Sequence, residues 1–337
     1  MLEISVRHNS PAAISAAFKK IREMVMTGAV SKTTTVHVTI EAGSYREQVK
    51  YNLSNPLIME TIPGTKAENC EILADNCEAY KSGLENRAIF IFGPNVTQVT
   101  LRNFSIRNTH NKSVTDKNTL ADSAEAFAWN NEKGTLHAEG LRIYGRQNSL
   151  YVKGSTWFKN CYIEGDKDFI YGEPEIALFE DCQINLIEDN RGEYDAAAIK
   201  SGAVADKPGY VFLNSTFKCV KRRHNKVFVC RTEGKASAET KNNWDNIAFI
   251  NCAFDDLYDK ELIGSDDMDL EVFPRGNSQI GVREYNSKVF KDEKNMLPAD
   301  TVRRNIKCYK LTDEDYFMSY ASRFLILKGT AFEALFD

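Results

Sequence analysis

The stretch FKNCYI (158–163) belongs to a set. FEDCQI (179–184), FLNSTF (212–217) and FINCAF (249–254) share its frame, and LRNFSI (101–106) and AEGLRI (138–143) share it more loosely. Each has apolar ends, an Asn, Asp or Gly third and usually a small residue fourth, and each reads as a short strand. Ala138 and Phe158 are 20 positions apart, Phe158 and Phe179 are 21. Self-similarity near that period, in strands too short to bury a face alone, marks a solenoid whose coils stack on one another. Cys161, Cys182 and Cys252 are then expected as small apolar fillers of an interior ladder. TVHVTI (35–40) and AIFIFG (88–93) add alternating strands ahead of the repeat. The expected fold is all-β: a single-stranded right-handed parallel β-helix forming one domain over 1–337.

Helical signals are confined to the two ends. At the N-terminus Ser10 is a cap candidate, Pro11 suits a first turn, and Ile14, Ala17, Phe18, Ile21 and Val25 recur on one face. This predicts a helical cap within 1–30. Near 313–327 a weaker helical pattern predicts a C-terminal cap over about 310–337, since the ends of a solenoid need covering.

Bulk composition narrows the function classes. The 337 residues carry 43 Lys+Arg against 47 Asp+Glu, a net charge of −4, which does not favour nucleic-acid binding. The basic cluster KRRHNK (221–226) reads as a solvated turn or a contact for an anionic ligand. No run approaches the roughly 20 apolar residues of a membrane span. No basic-then-apolar leader is visible, so a cytoplasmic protein with reduced thiols is expected, and the N-x-S/T matches carry no weight. The eight cysteines include no CxxC pair and the five histidines are scattered. Neither a metal nor a cofactor is expected.

The chemistry gathers elsewhere. In GDKDFIYG (165–172) the carboxylate of Asp168 stands directly against an apolar run. Burying it costs several kcal/mol unless it is paired, so it serves either a structural ion pair or a reaction. In DSAEAFAWNN (122–131), Ala124, Ala126 and Ala128 alternate with Ser123, Glu125, Phe127 and Trp129. The alanines suit a tight interior, which would turn the other set outward. Phe127 and Trp129 beside a carboxylate then form either a sugar-binding wall or ordinary exterior under a loop; the two readings weigh equally.

Taken in order, VTLRNFSIRNT, RQNSLYVK, FKNCYIEGDKDFIYG and FEDCQI resemble the pectin methylesterases, carbohydrate esterases that strip methyl groups from polygalacturonate. EAGSYREQV (41–49), VFVCRTE around Arg231 and REYNS (283–287) extend the resemblance over most of the chain. It implies a right-handed β-helix, in agreement with the repeat, and no cofactor. It places the nucleophile on Asp168, the arginine that holds it on Arg231, and an oxyanion donor on Gln147. A guanidinium can grip both oxygens of a carboxylate, and an amide donor to an oxyanion is worth about 10²–10³ in rate. Tyr171, with Tyr151 and Phe169, falls in apolar or aromatic motif positions.

Three positions depart from the family pattern. The acid/base Asp is Asn148, and an amide cannot exchange a proton with methanol or water. A second oxyanion Gln is Ser123, and a sugar-contact Trp is Glu233. Glu125, on the same outward face as Ser123, is a candidate replacement acid/base, with Glu233 a second; either could instead pair with Arg231 or a lysine. Arg146 and Lys167, beside the motifs, read by default as solvated surface charges, with contact to free carboxylates on neighbouring sugars as the alternative. The leading expectation is a monomeric, cofactor-free esterase acting on pectic oligosaccharides. The alternatives are a non-catalytic carbohydrate-binding protein or an esterase for another sugar ester. A lyase or polygalacturonase is a distant third, because Asp255-Asp256 and Asp266-Asp267 lack accompanying motifs.

Overall fold

The computed structural model describes residues 1–10, 12–112, 122–188, 196–220, 227–241, 243–258, 263–264, 271–290, 296–298 and 308–333. KRRHNK, Asp266-Asp267 and Pro11 lie outside the described residues. Among those described, parallel strands stack coil on coil into a β-helix. One ladder runs through Ile72, Ile106, Ile143, Ile163, Ile184, Phe217, Phe254 and Val289 in strict register. A second runs through Leu101, Ala138, Phe158, Phe179, Phe212 and Phe249. Its last four rings stack, with centroids 5.0, 4.6 and 5.7 Å apart. A third carries Val49, Phe90, Phe127, Leu150 and Ile170. The long strands Leu150–Lys159 and Ile170–Glu180 belong to both the second and third rows.

The repeat differs from the expectation in one respect: it is a corner, not a strand. Its third residue adopts a left-handed conformation at Asn103, Gly140, Asn160, Asp181, Asn214 and Asn251, with φ between 52° and 64°. Only Gly, Asn and Asp enter that region at little cost, which explains the composition of the third place. The fourth residue turns inward. Cys161, Cys182 and Cys252 are buried, and each thiol bonds a carbonyl of the neighbouring coil, on Ala138, Phe158 and Phe212 respectively. Ser215 makes the same contact with Phe179 O at 3.0 Å.

The ends also differ from expectation. Leu2–Val6 is a strand paired with Val36–Ile40, so 1–30 is not wholly helical. The helix Ala13–Met26 buries Ile14, Phe18 and Ile21, but Ser10 does not cap it. Glu47 does, accepting from the backbone N–H of Ile14 (3.0 Å) and Ser15 (2.7 Å). A carboxylate from the first coil therefore ties the helix to the solenoid. At the C-terminus, helices Asp313–Ser319 and Arg323–Leu327 lie along a flank rather than across an end. Ile326, Leu327 and Phe332 cover the outward residues Trp157, Leu178, Val211 and Ile250.

Candidate active site

GRQNSLY (145–151) and GDKDFIY (165–171) are successive copies of one turn, 20 residues apart. Gln147 bridges to Lys167, and Leu150 and Tyr151 pair with Ile170 and Tyr171. Asn148 and Asp168 thus occupy the same corner of neighbouring coils, both left-handed, with φ of 65° and 46°. The opening glycines share a purpose. A Cβ on Gly145 would lie 2.4 Å from Ser149 Oγ, and one on Gly165 would lie 2.2 Å from Phe169 Cβ.

This explains how Asp168 coexists with the apolar run. Phe169 and Ile170 point into the core, while Asp168 sits on the corner, 6% exposed. Arg231 reaches it from the strand Val227–Arg231, with Nε donating to Oδ1 at 3.1 Å and Nη2 to Oδ2 at 2.6 Å. Both carboxylate oxygens are held and fixed in plane, the geometry in which an Asp–Arg contact is strongest. Gln147 is buried one residue before the neighbouring corner.

Glu125 is fully buried and has its own cation. Arg87 Nε donates to Oε2 at 2.6 Å and Nη2 to Oε1 at 2.7 Å, the Tyr171 hydroxyl donates to Oε1, and Arg87 also bonds Glu78. Ala124 N–Gln147 O (3.2 Å) and Ala126 N–Ser149 O (2.8 Å) lay the Glu125 segment beside the Asn148 corner. Asp168 is therefore about two strand spacings, ~10 Å, from Glu125. The expected acid/base role of Glu125 does not fit this geometry: both oxygens are occupied, and Asn148 intervenes. Arg87, 38 residues away in sequence, was not singled out. The one signal for it was a carboxylate in an alanine-rich run, which requires a cation somewhere.

Phe127 and Trp129 require correction. Both are fully buried in the core, ring to ring with Phe92 at 5.9 and 5.6 Å, and they form no sugar-binding wall. Ser149 O accepts from both Ala126 N and Phe127 N, so two residues oppose one. That bulge reverses the alternation: Ala126 and Phe127 both face inward, and Ala128 packs outside on Ile91. Ser123 is buried, its carbonyl accepting from Glu78 N at 2.9 Å.

On the outer face, Tyr171 is followed in register by Lys200 and then Arg231. Tyr151, Tyr171, Lys200, Glu233, Lys241 and Asn243 line a cavity of about 220 Å³ there. Glu233 is paired with Lys200 at 2.7 Å and accepts from Asn243 at 2.9 Å. Burial pushes its carboxyl up, but Lys200 outweighs that and the net shift is downward. Burial and then the charge of Glu125 push the Tyr171 hydroxyl well above the usual tyrosine range. Arg146 is engaged by Asp166 (3.4 Å), Asn111 (2.9 Å) and the Glu188 carbonyl (3.1 Å), and Lys112 meets the fully buried Asp166 at 2.6 Å.

Comparison with known proteins completes the description. The pectinesterase family model matches residues 11–232. A pectinesterase of Olea europaea is 26% identical over 275 residues, covering 81% of this chain and 68% of its own length. One from Ralstonia solanacearum is 29% identical over 211 residues, covering 56% of this chain and 52% of its own. The chain thus spans between about half and two thirds of the length of these relatives. Among solved structures, a pectin methylesterase in complex with a hexasaccharide superposes with a TM-score of 0.70 at 16% identity, over 97% of both chains. The pectin methylesterase of Erwinia chrysanthemi gives 0.68 at 16% identity, again over 97% of both. These likenesses establish the parallel β-helix, and with the family match over most of the solenoid, the chain belongs to the pectinesterase family.

Proposed function

We propose that the protein is a carboxylic ester hydrolase of methyl-esterified, galacturonate-type oligosaccharides. The observation that carries this is the two-point contact of Arg231 with Asp168 at a corner of the β-helix. Asp168 attacks the ester carbonyl, and Gln147 donates to the oxyanion that forms. Collapse of that intermediate expels methoxide, which takes a proton from water to leave as methanol, and the acyl-enzyme that remains is hydrolysed by a second water, whose released proton neutralises the hydroxide so formed. Arg231 fixes the attacking carboxylate and accepts it back as the leaving group of the second step. Sugar recognition is assigned to the cavity beyond Arg231, where Tyr151 and Tyr171 present ring surface and Lys200, Lys241 and Glu233 supply polar contacts. Relatives named pectinesterases and a neighbouring structure holding a hexasaccharide support this substrate class.

The amide at Asn148 favours one second reading, a carbohydrate-binding protein without turnover. Methanol release from methylated oligogalacturonides, wild type against Asp168→Asn across pH, decides between them. Release lost in the variant establishes the esterase. Equal background in both, with retained oligosaccharide binding, establishes the second reading. Cytoplasmic placement and a monomeric state are part of the same proposal. Cys161, Cys182 and Cys252 serving as ladder fillers is consistent with reduced thiols.

A further inference from the structure

The segment that carries Arg231 is tied down by a carboxyl group that the reaction does not use. Asp245 is 3% exposed. Its Oδ2 accepts from Thr232 Oγ1 at 2.7 Å and from the Phe273 N–H at 2.9 Å, while its Oδ1 is hydrogen-bonded to Ser201 Oγ. Ser201 also reaches the Arg231 carbonyl oxygen, with its Oγ at 2.7 Å and its backbone N–H at 2.9 Å. A hydroxyl has one proton, and a carbonyl has none to give. The serine proton therefore goes to Arg231 O, and the proton shared with Asp245 belongs to the carboxyl. Thr232 fixes the other oxygen as the acceptor, because its hydroxyl accepts from the Gly234 N–H at 2.9 Å and donates to Oδ2. We propose that Asp245 is a positioning residue, a neutral carboxylic acid that donates to Ser201 and through it holds the Arg231 main chain, so that the guanidinium stays on Asp168.

This rests on the esterase reading and deepens it. Among the described residues no lysine, arginine or histidine pairs with Asp245, and a buried carboxylate without a cation is strongly disfavoured. The Arg231 guanidinium is spent on Asp168. Around Asp245 stand the Glu233 carboxylate and the Cys230 thiol, which burial and then Asp245 push well above the usual thiol range. Burial pushes the Asp245 carboxyl up and Glu233 adds to this; Ser201, the Phe273 N–H and Thr232 oppose it, and the net shift is upward. Ionisation would leave Ser201 one proton for two acceptors, and Arg231 O would lose its hydroxyl partner.

Asp245→Asn imitates the neutral acid at every pH: its NH₂ donates to Ser201, and its carbonyl accepts from Thr232 and Phe273. Against Asp245→Ala, which drops all three contacts, it should recover most of an about fivefold loss in kcat, with little change in KM. On methylated oligogalacturonides, the rate ratio of Asp245→Asn to wild type should rise about fivefold between about pH 5 and about pH 8, since only the wild type ionises there, and Asp168 titrates in both. Independently of turnover, at about pH 5, where an exposed aspartate is ionised, the infrared difference between wild type and Asp245→Asn should contain the carbonyl stretch of a protonated carboxyl. A carboxylate band in its place, or an Asn variant as slow as the Ala variant with a flat ratio, would overturn the proposal. The protonated band in a wild type that hydrolyses no ester would uphold the clamp on Arg231 while rejecting the esterase. Should Asp245→Ala fail to fold, the band and the Asn-to-wild-type ratio still decide.

Discussion

Two columns of left-handed corners run along this β-helix, and they use the same backbone for different ends. In the first, Asn103, Gly140, Asn160, Asp181, Asn214, Asn251 and Asn286 turn one strand row into the next. The corner N–H groups from Asn103 to Asn251 donate to the following coil at 2.9–3.0 Å. Their side chains meet one another: Asn286 donates to Asn251 at 2.9 Å, and Asn251 to Asn214 at 3.4 Å. In the second column stand Asn148 and Asp168, with Gln147 and Arg231 around them. The difference teaches that Asn or Asp at a coil corner reports conformation first. Chemistry begins where a cation is brought to the corner from another strand, as Arg231 is to Asp168.

The largest expected contrast tests that distinction directly. Asp168→Asn should lower methanol release by about 10³ or more. Asp181→Asn, the same change at a structural corner, should leave it within about twofold. Loss of activity in both would mean that the first column acts on the site through the coils.

Asn148→Asp should raise methyl-ester turnover by about 10², because a carboxyl group there can exchange a proton with methanol and water. Asn160→Asp should not change it. Initial rates on the two variants make the comparison, and an equal response would remove the special status of the 148 corner.

A third prediction concerns the flank away from the site. His137 stacks on Trp157 at 4.1 Å, and burial lowers its pKa to about 4, with Glu139 opposing and Arg102, Lys159 and Arg323 adding to the fall. Because the folded value lies below the unfolded one, its contribution is complete above about pH 6.5 and is lost as pH falls toward 4. Partial exposure limits the loss to roughly 2 kcal/mol. Urea unfolding of His137→Gln should show a flatter acid limb, and an unchanged limb would place the acid sensitivity elsewhere.

The smallest effect is at the structural corner itself. Asn214→Ala forces a Cβ-bearing residue without a polar side chain into φ of 52° and should cost about 1 kcal/mol. Asn214→Gly should stay within about 0.5 kcal/mol. Thermal melts resolve the pair. Equal costs would show that the asparagine contacts, and not the backbone, hold the corner.

How far the sequence could be read depends on range. The solenoid was legible because its signals repeat locally: an Asn, Asp or Gly at each corner, a small residue after it and apolar flanks every coil. The pairing of Asp168 with Arg231 was legible through motifs, though the two lie 63 residues apart. The orientation of Phe127 and Trp129 was not, because a single shared acceptor, Ser149 O, creates a bulge that no alternation pattern records. Nor was the cap of the first helix, since Glu47 arrives from the coil that follows.

By itself the sequence determined the parallel β-helix, its period and the fillers of its ladder, all consequences of conformational preference and side-chain volume repeated along the chain. Only the tertiary structure decided what Glu125 and Glu233 face. Glu125 meets Arg87 and Tyr171, and Glu233 meets Lys200. Partnerships of charge are settled by which coils stack and which way a bulge turns the chain, and both are set by packing across tens of residues.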